Sequence, residues 1–554
     1  MAIQGITNQR INDIGWGMNT YESPSSLTTT ECVLLQNGIT EGSSIKSIPW
    51  AVLYSTPDFD QALNKIDASA PTMIWETSMA TLGVVSYWDW VLQLITPTDS
   101  GSVWYNYLAV RAFNKRLAVD RTTITLIGIS PMNSIKWSWL SFKLTNVYIC
   151  LWGSWVLNTA LFAFKLNETT WALTAWNSAT GGITWEVTTP YTGNKTVCYD
   201  NARLVVGWAP LQPWVVYFSR PASATNPEYA FDFSWSWSGA KVVSTSWRIS
   251  CIFKNNDKLF IGTDTVIFSW EFTTSDTLLT TLFSNSWILS HESVTDVNQD
   301  SFFFDWFDVR RLSYEQNILA LKDTSISDKI RNTLRLLPEG DANGQYKRDT
   351  VSTSFIFPLY KLYARTSFSS AADIAFVYNV IDKSWSVDTI GVRSSCIASY
   401  NSRSLITTNG SLDILVTKDV DGNNWDPKTF KYLSWEFVFW DDVDYKRFTQ
   451  YEVFGEITDE VQATIWIYID WNIKYEKTTT LKPLSSPTTG ATTFGSSLFG
   501  SNSVQDTLSP FRERLDFFYE GRSIQVWITV TDISRIRIDW HNFQYKFIQA
   551  YPIH

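Results

Sequence analysis

Glycine is scarce in this chain: it supplies 25 of 554 residues, against an average usage of about 7%. Histidine is scarcer still. Only His291, His541 and His554 occur, none in His-x-x-x-His or His-Glu-x-x-His spacing, which leaves zinc and triad chemistry almost without support. The five cysteines (Cys32, Cys150, Cys198, Cys251, Cys396) are odd in number and far apart, with no Cys-x-x-Cys pair. They read as buried thiols and not as a disulfide framework or a zinc site. A Gly-rich phosphate loop is absent, and no cofactor is expected. Basic charge is in the minority: 44 Lys and Arg against 54 Asp and Glu give a net charge of −10. That balance excludes a protein gripping nucleic acid by its phosphates, although an acidic wall lets DNA slide past. Met1 to Arg10 lacks a basic stretch followed by an apolar core, so no secretory signal is expected. The one long apolar run, Val147 to Phe164, is broken by Gly153-Ser154 and Asn158-Thr159; it predicts a hairpin of two buried strands and no membrane segment.

Tryptophan is what the chain has in place of glycine, with 29 residues. Many stand where a turn needs glycine. Asp470-Trp471-Asn472, Asp539-Trp540-His541 and Asn424-Trp425-Asp426 would be ordinary turns as Asp-Gly or Asn-Gly. Ser234-Trp235-Ser236-Trp237-Ser238-Gly239 would be a flexible linker with glycine at both Trp positions. One reading is a gene whose UGA codons mean glycine, here written as tryptophan; the other is a Trp-rich protein that uses indoles for core and contact area. The first predicts Trp16, Trp50, Trp235, Trp237, Trp306, Trp425, Trp471 and Trp540 at turns, exposed ends or positive φ.

The stretch around which the chain is organised lies near its start: Ile14-Gly15-Trp16-Gly17-Met18-Asn19-Thr20, then Ser23-Pro24, Gln36-Asn37-Gly38 and Ile48-Pro49-Trp50. Gly, Asn and Pro interleaved with short apolar runs predict an extended arm with tight corners. This spacing resembles the opening of a family of tail and neck proteins of tailed bacteriophages: Gly-Gly-(apolar)-Asn-Thr, Ser-Pro, Asn-Gly, Pro-Gly. Trp16 stands where that family has its first Gly, and Trp50 where it has the Gly after Pro. The resemblance implies that Gly15, Gly17, Asn19, Thr20, Ser23, Pro24, Asn37 and Pro49 form an assembly arm.

From about Gln61 to Pro427 short alternating or β-branched runs are separated by turns, as in Lys258 to Gly262 followed by Val266 to Phe272. Repeated strand-turn-strand units predict a β-propeller of about six blades. Phe302 to Ser313 is similar to the phage family's blade motif, with Trp306 at its turn Gly. Phe376-Val377-Tyr378-Asn379 with Lys383-Ser384-Trp385-Ser386 looks like a propeller signature in which Trp385 is a genuine core indole. Glu315 to Leu337 predicts one or two short amphipathic helices, with Ser325 and Ser327-Asp328 as caps. From Thr429 onward longer strands predict a separate antiparallel β-sandwich, with hairpins at Asp470-Trp471-Asn472 and Asp532-Ile533-Ser534. The expected fold is thus all-β: arm 1–60, propeller 61–427, sandwich 428–554.

The resemblance implies a non-enzymatic structural protein of a phage virion, assembled in the host cytoplasm. It would be a tail nozzle or hub: a homo-oligomeric ring that contacts other tail and adaptor proteins and passes DNA through its lumen. The arm, Asn12 to Pro49, is expected to gain stability by packing on a neighbouring subunit. Two other classes stay open, a carbohydrate-binding or carbohydrate-cleaving tail protein and a propeller scaffold. For the former, Asp305 with Asp308, or Asp441 with Asp442, are candidate paired carboxylates. Asp419 to Asp426 alternates oxygen ligands but lacks the Gly and Glu of a calcium loop, and reads as a solvated turn.

Overall fold

The structure is a computed structural model describing most of 7–55, the strands between 79 and 176, most of 196–338 and 351–484, and 509–531 with 536–548; positions 56–78, 177–195, 339–350, 485–508, the two ends and shorter loops lie outside it. Among the described residues the chain is all-β, with 3-10 turns at His291–Ser293 and Asp328–Ile330, the latter leading into the short α-helix Arg331–Arg335. No helix among the described residues is long and apolar enough to cross a membrane.

Five consecutive segments each fold into a four-stranded antiparallel sheet whose strands neighbour one another in chain order. They run Met79–Tyr87 to Val119–Leu126, Ile135–Ser141 to Leu173–Trp176, Thr196–Asp200 to Gly239–Val242, Ile249–Asn255 to Thr277–Ser284, and Val294–Val297 to Val309–Glu315 with Ala320–Ser325. Strand pairing of this kind is local, so each unit can form from contiguous sequence. The apolar run anticipated as a hairpin is one: Asn146–Gly153 pairs with Ala163–Asn167, Ile149 opposite Phe164.

The next unit begins with Ser352–Ile356, Leu359–Ala364 and Ala372–Asn379, and its fourth strand is the long Ser384–Tyr400. That strand serves two units. Its first half pairs with Ala372–Asn379 and its second half with Arg403–Thr408, which continues to Ile414–Lys418 and then to Trp50–Ser55 from the start of the chain. Ser384–Tyr400 also lies against Met79–Tyr87, bringing the last unit to the first.

After residue 428 the strands sort into two sheets. In one, Lys446–Ile457 lies between Ser509–Gly521 and Ile536–Phe547; in the other, Ile524–Thr531 lies between Phe430–Ser434 and Val461–Ile469, which pairs on to Asn472–Leu481. Burial alternates strictly along Val461–Ile469, and Tyr451, Val453, Ile465, Ile467, Val526, Phe543 and Tyr545 from both sheets share one core. The arm completes both sheets: Thr7–Ile11 and Ser44–Ser47 pair along Ile536–Phe547, and Cys32–Gln36 along Phe430–Ser434.

Four expectations are corrected. The sequence reading sends the arm to a neighbouring subunit, whereas its described residues are seated on their own chain, because each sheet would otherwise expose a long unpaired edge. The anticipated hairpin at Asp532-Ile533-Ser534 falls on positions outside the described residues, and the strands on either side of it, Ile524–Thr531 and Ile536–Phe547, belong to different sheets and do not pair with each other. Asp539-Trp540-His541 is no turn but lies inside Ile536–Phe547, where a register shift opposite Phe454 and Gly455 accommodates the extra residue. Within Glu315 to Leu337, Ala320–Ser325 is a strand paired with Val309–Glu315, and only Asp328 to Arg335 is helical. Ser327 sits at the helix start, but its hydroxyl bonds Asp308 and the Val309 N–H instead of capping.

The sandwich core holds a histidine out of reach of water. His541 is fully buried, stacks on Tyr432 from the opposite sheet (5.3 Å, 10°) and shares a 2.6 Å hydrogen bond with the Tyr451 hydroxyl. Burial pushes its pKa down to about 3. The unfolded residue takes up a proton below about 6.5, the folded one only near 3. Its contribution to stability is therefore full above about 6.5 and is lost as pH falls through that window. We expect acidification from pH 7.5 to 5 to cost His541 about 2 kcal/mol. Asp305, raised to about 6 by burial, acts in the opposite sense, gaining stability as pH falls from about 6 toward 4. The check is therefore a comparison of urea midpoints for the wild type and His541→Phe at both pH values, the variant being the less acid-sensitive of the two.

Candidate functional site

The residues singled out in the arm converge on one seat, where the last complete sheet, the short helix and the C-terminal sheets meet. Gly15 lies at a corner whose opposite wall is Gly42: a Cβ on Gly15 would sit 1.8 Å from the Gly42 carbonyl oxygen. The Gly15 N–H donates to Asp13 Oδ1 (3.1 Å), and Ile14 N–H to the Ser43 carbonyl (3.1 Å). Gly17 has φ +77° and no room for a Cβ, which would meet Ser384 Cβ at 2.7 Å and the Trp385 carbonyl at 2.8 Å. That close approach lets Met18 N–H donate to the Trp385 carbonyl (2.7 Å) and Cys32 N–H to the Gly17 carbonyl (3.0 Å).

Asn19 and Thr20 carry the chain over to the helix. Asn19 N–H donates to the Cys32 carbonyl (2.9 Å), its Nδ2 to Glu31 (3.2 Å), and its Oδ1 accepts from Tyr21 N–H (3.0 Å) in an Asx turn. Thr20 N–H donates to the Lys329 carbonyl (2.7 Å) and its hydroxyl bonds that of Thr333 (2.8 Å). Lys329 also pairs with the buried Glu31 (2.8 Å). Asn37 adopts φ 57°, a left-handed conformation that Asn tolerates better than most residues. Its Nδ2 donates to the Thr429 carbonyl (2.7 Å) and its Oδ1 accepts from the Thr389 N–H (2.7 Å) and hydroxyl (2.8 Å), tying both halves of the molecule to one side chain. Ser23, Pro24 and Pro49 lie outside the described residues.

The partners of this arm are what the sequence did not disclose. Lys329 and Thr333 lie about 310 positions away, and nothing in their own surroundings marks them. Asn379 was visible as a turn former, but not that its Nδ2 reaches the Thr40 carbonyl (3.0 Å) beside Asp382 (2.8 Å). Trp385 is as expected: buried, edge-on to Tyr360 (6.4 Å), tilted against Tyr378 (4.9 Å), with its indole N–H on the Ile326 carbonyl (2.8 Å).

The paired carboxylates offered for glycoside chemistry are accounted for by a turn. Asp305 Oδ1 accepts from the N–H groups of Phe307 (3.1 Å) and Asp308 (2.8 Å), and Asp308 is held by Ser325, Ser327 and Arg331. Both side chains are committed to holding the strand Val309–Glu315 and the helix together. Asp441, Asp442 and the Asp419 to Asp426 loop lie outside the described residues. Beside this turn is a pocket of about 220 Å³ lined by Asp264, Trp287, Ile288, Leu289, Trp306 and Phe307. Burial pushes the thiols of Cys32, Cys198 and Cys251 up, so they are protonated and inert at neutral pH. No cluster of His, Cys, Asp and Glu able to hold a metal occurs among the described residues.

No family model and no curated protein matches the sequence. Among solved structures, the chain is similar to BamB from Moraxella catarrhalis at 9% identity and a TM-score of 0.33, over 62% of this chain and 85% of BamB. The extracellular domain of a hybrid two-component system from B. thetaiotaomicron matches at 10% and 0.38, over 78% of this chain and 48% of that one. An exo-beta-1,3-galactanase from Phanerochaete chrysosporium matches at 8% and 0.29, over 74% and 95%. At TM-scores below 0.5 these likenesses carry no argument about fold or activity.

Proposed function

We propose that this protein is a structural subunit of a bacteriophage virion, a tail nozzle or hub ring that forms part of the conduit for DNA ejection. The observation that carries the reading is the use of the arm residues. Gly15 and Gly17 stand where backbones touch, Asn19 closes an Asx turn on Tyr21 and holds the Glu31 carboxylate, and Asn37 spends its side chain on backbone groups of two other segments. Those positions of the phage-like opening serve as a joint that fixes two large β bodies to each other. A rigid joint suits a subunit that must keep its shape in an assembly carrying load. The net charge of −10 fits a lumen past which DNA moves without adhering.

We also propose that the four-stranded units form a closed β-propeller of seven blades, where the sequence spacing predicts about six. Support comes from the long strand Ser384–Tyr400, which serves two units, and from Trp50–Ser55, which joins the last of them from the chain's other end. Closure of this type leaves no long edge for aggregation. The described residues of the arm are seated on their own chain, so this reading assigns the ring contacts to other surfaces. Purified particles analysed by peptide mass spectrometry test the reading: the protein should be present in multiple copies per particle, and its absence from intact particles would end it.

Sugar binding is the second reading, and the ring-lined pocket at Trp287, Trp306 and Phe307 is the observation in its favour. Titrating host surface glycans against intrinsic tryptophan fluorescence checks it; no change at millimolar sugar removes it.

A further inference from the structure

Ten non-glycine residues have positive φ among the described residues, and half are types that tolerate it, four of them Asn and one Asp. Two are tryptophan. Trp471 (φ 67°) follows Asp470 (φ 48°) in the two-residue turn joining Ile469 to Asn472, which are paired across the hairpin. Two successive positive φ values in a two-residue hairpin define a type I′ turn, whose second position is the strongest glycine site in β proteins. The indole there has no core to enter: Trp471 is 54% exposed. Trp306 is the more extreme case. Its φ of 107° lies far beyond the 43–67° spanned by the other nine, in a region open essentially to glycine alone.

No other described tryptophan has a positive φ. Trp16, between Gly15 and Gly17 in the tight corner, is 51% exposed. Trp270, Trp287, Trp435 and Trp527 each bury the ring N–H without an acceptor among the described residues. A buried indole normally finds one, as Trp385 does. Trp540 behaves differently: it lies within a strand, beside a register shift but without a positive φ, stacks on Phe454 (5.3 Å) and has the Arg10 guanidinium over its ring (4.1 Å), so its backbone does not call for glycine. Trp50, Trp235, Trp237 and Trp425 lie where no side chain is described.

We infer that positions 306 and 471 are glycine in the protein as its own host makes it: the codons there are UGA, read by a glycine-charged tRNA. The gene then depends on a host that supplies such a tRNA, since elsewhere UGA stops translation or inserts tryptophan. With glycine after Asp470 the hairpin acquires an Asp-Gly turn, and with glycine after Asp305 the blade corner does too. Removing the Trp306 ring also takes away one wall of the pocket at Trp287 and Phe307.

Peptide masses of the protein isolated from its native source, read with the codons, test this directly. Glycine at 306 and 471 together with UGA codons is the expected result; tryptophan at either position, or UGG there, overturns the inference. In the tryptophan-containing chain, Trp471→Gly should raise the unfolding midpoint by roughly 2–4 °C, while Trp385→Gly lowers it. A midpoint that falls on Trp471→Gly would contradict the strain on which the inference rests.

Discussion

Trp385→Ala is expected to cost about 3–5 kcal/mol of stability and to loosen the arm in the same step. Three consequences act together at this residue. The indole fills the space between Tyr360 and Tyr378, and truncating a fully buried ring leaves a cavity that surrounding strands close only in part. Its N–H is the partner of the Ile326 carbonyl, which then loses that bond where the chain turns into the short helix. Its own carbonyl receives the Met18 N–H, so any shift of the strand Ser384–Tyr400 disturbs the arm. Denaturant unfolding followed by tryptophan-independent far-UV signal measures the first effect. Limited proteolysis at the arm measures the second, and Trp385→Phe, which keeps most of the ring volume but loses the hydrogen bond, should fall between.

Gly15→Ala is expected to cost at least about 3 kcal/mol, out of proportion to the one methyl group added. The atom in the way is the Gly42 carbonyl oxygen, 1.8 Å from the new Cβ, and a backbone carbonyl cannot swing aside as a flexible side chain would. The corner must open, which breaks the Ile14 to Ser43 hydrogen bond and pulls Ser44–Ser47 from its place beside Ile536–Phe547. Gly42→Ala is the contrasting case. Its Cβ would point into open space, so only the strain of φ +59° applies, about 1 kcal/mol. Equilibrium unfolding of the two variants side by side should show the large difference; equal effects would mean that the corner is looser than its geometry indicates.

The β character was legible because alternation is a local signal: Val461–Ile469 and Ile524–Thr531 read as strands from their own residues. Corners of the arm were legible for the same reason, since Gly and Asn announce backbone conformations that other residues avoid. What the sequence hid was which edges those strands seek. Cys32–Gln36 gives no sign that its partner is Phe430–Ser434, almost 400 positions on, and nothing near Ile524–Thr531 tells that the chain then crosses to the other sheet. Pairing across such distances is set by complementary faces of the finished core. The misread segment at Ala320–Ser325 had apolar spacing compatible with a helix, and pairing with Val309–Glu315 overrode it. Trp540 was misread because Asp-Trp-His was treated as a disguised Asp-Gly turn; packing on Phe454 and Arg10 gives its ring a place within the strand.

Cryo-electron microscopy of intact particles, focused on the tail, tests the central claim most directly. A phage nozzle or hub subunit predicts a closed ring of this chain around the DNA path, each copy with its arm locked between its own propeller and sandwich. Density for the tail fully accounted for by other chains, with this protein absent or present only as a scattered single copy outside the conduit, would contradict it.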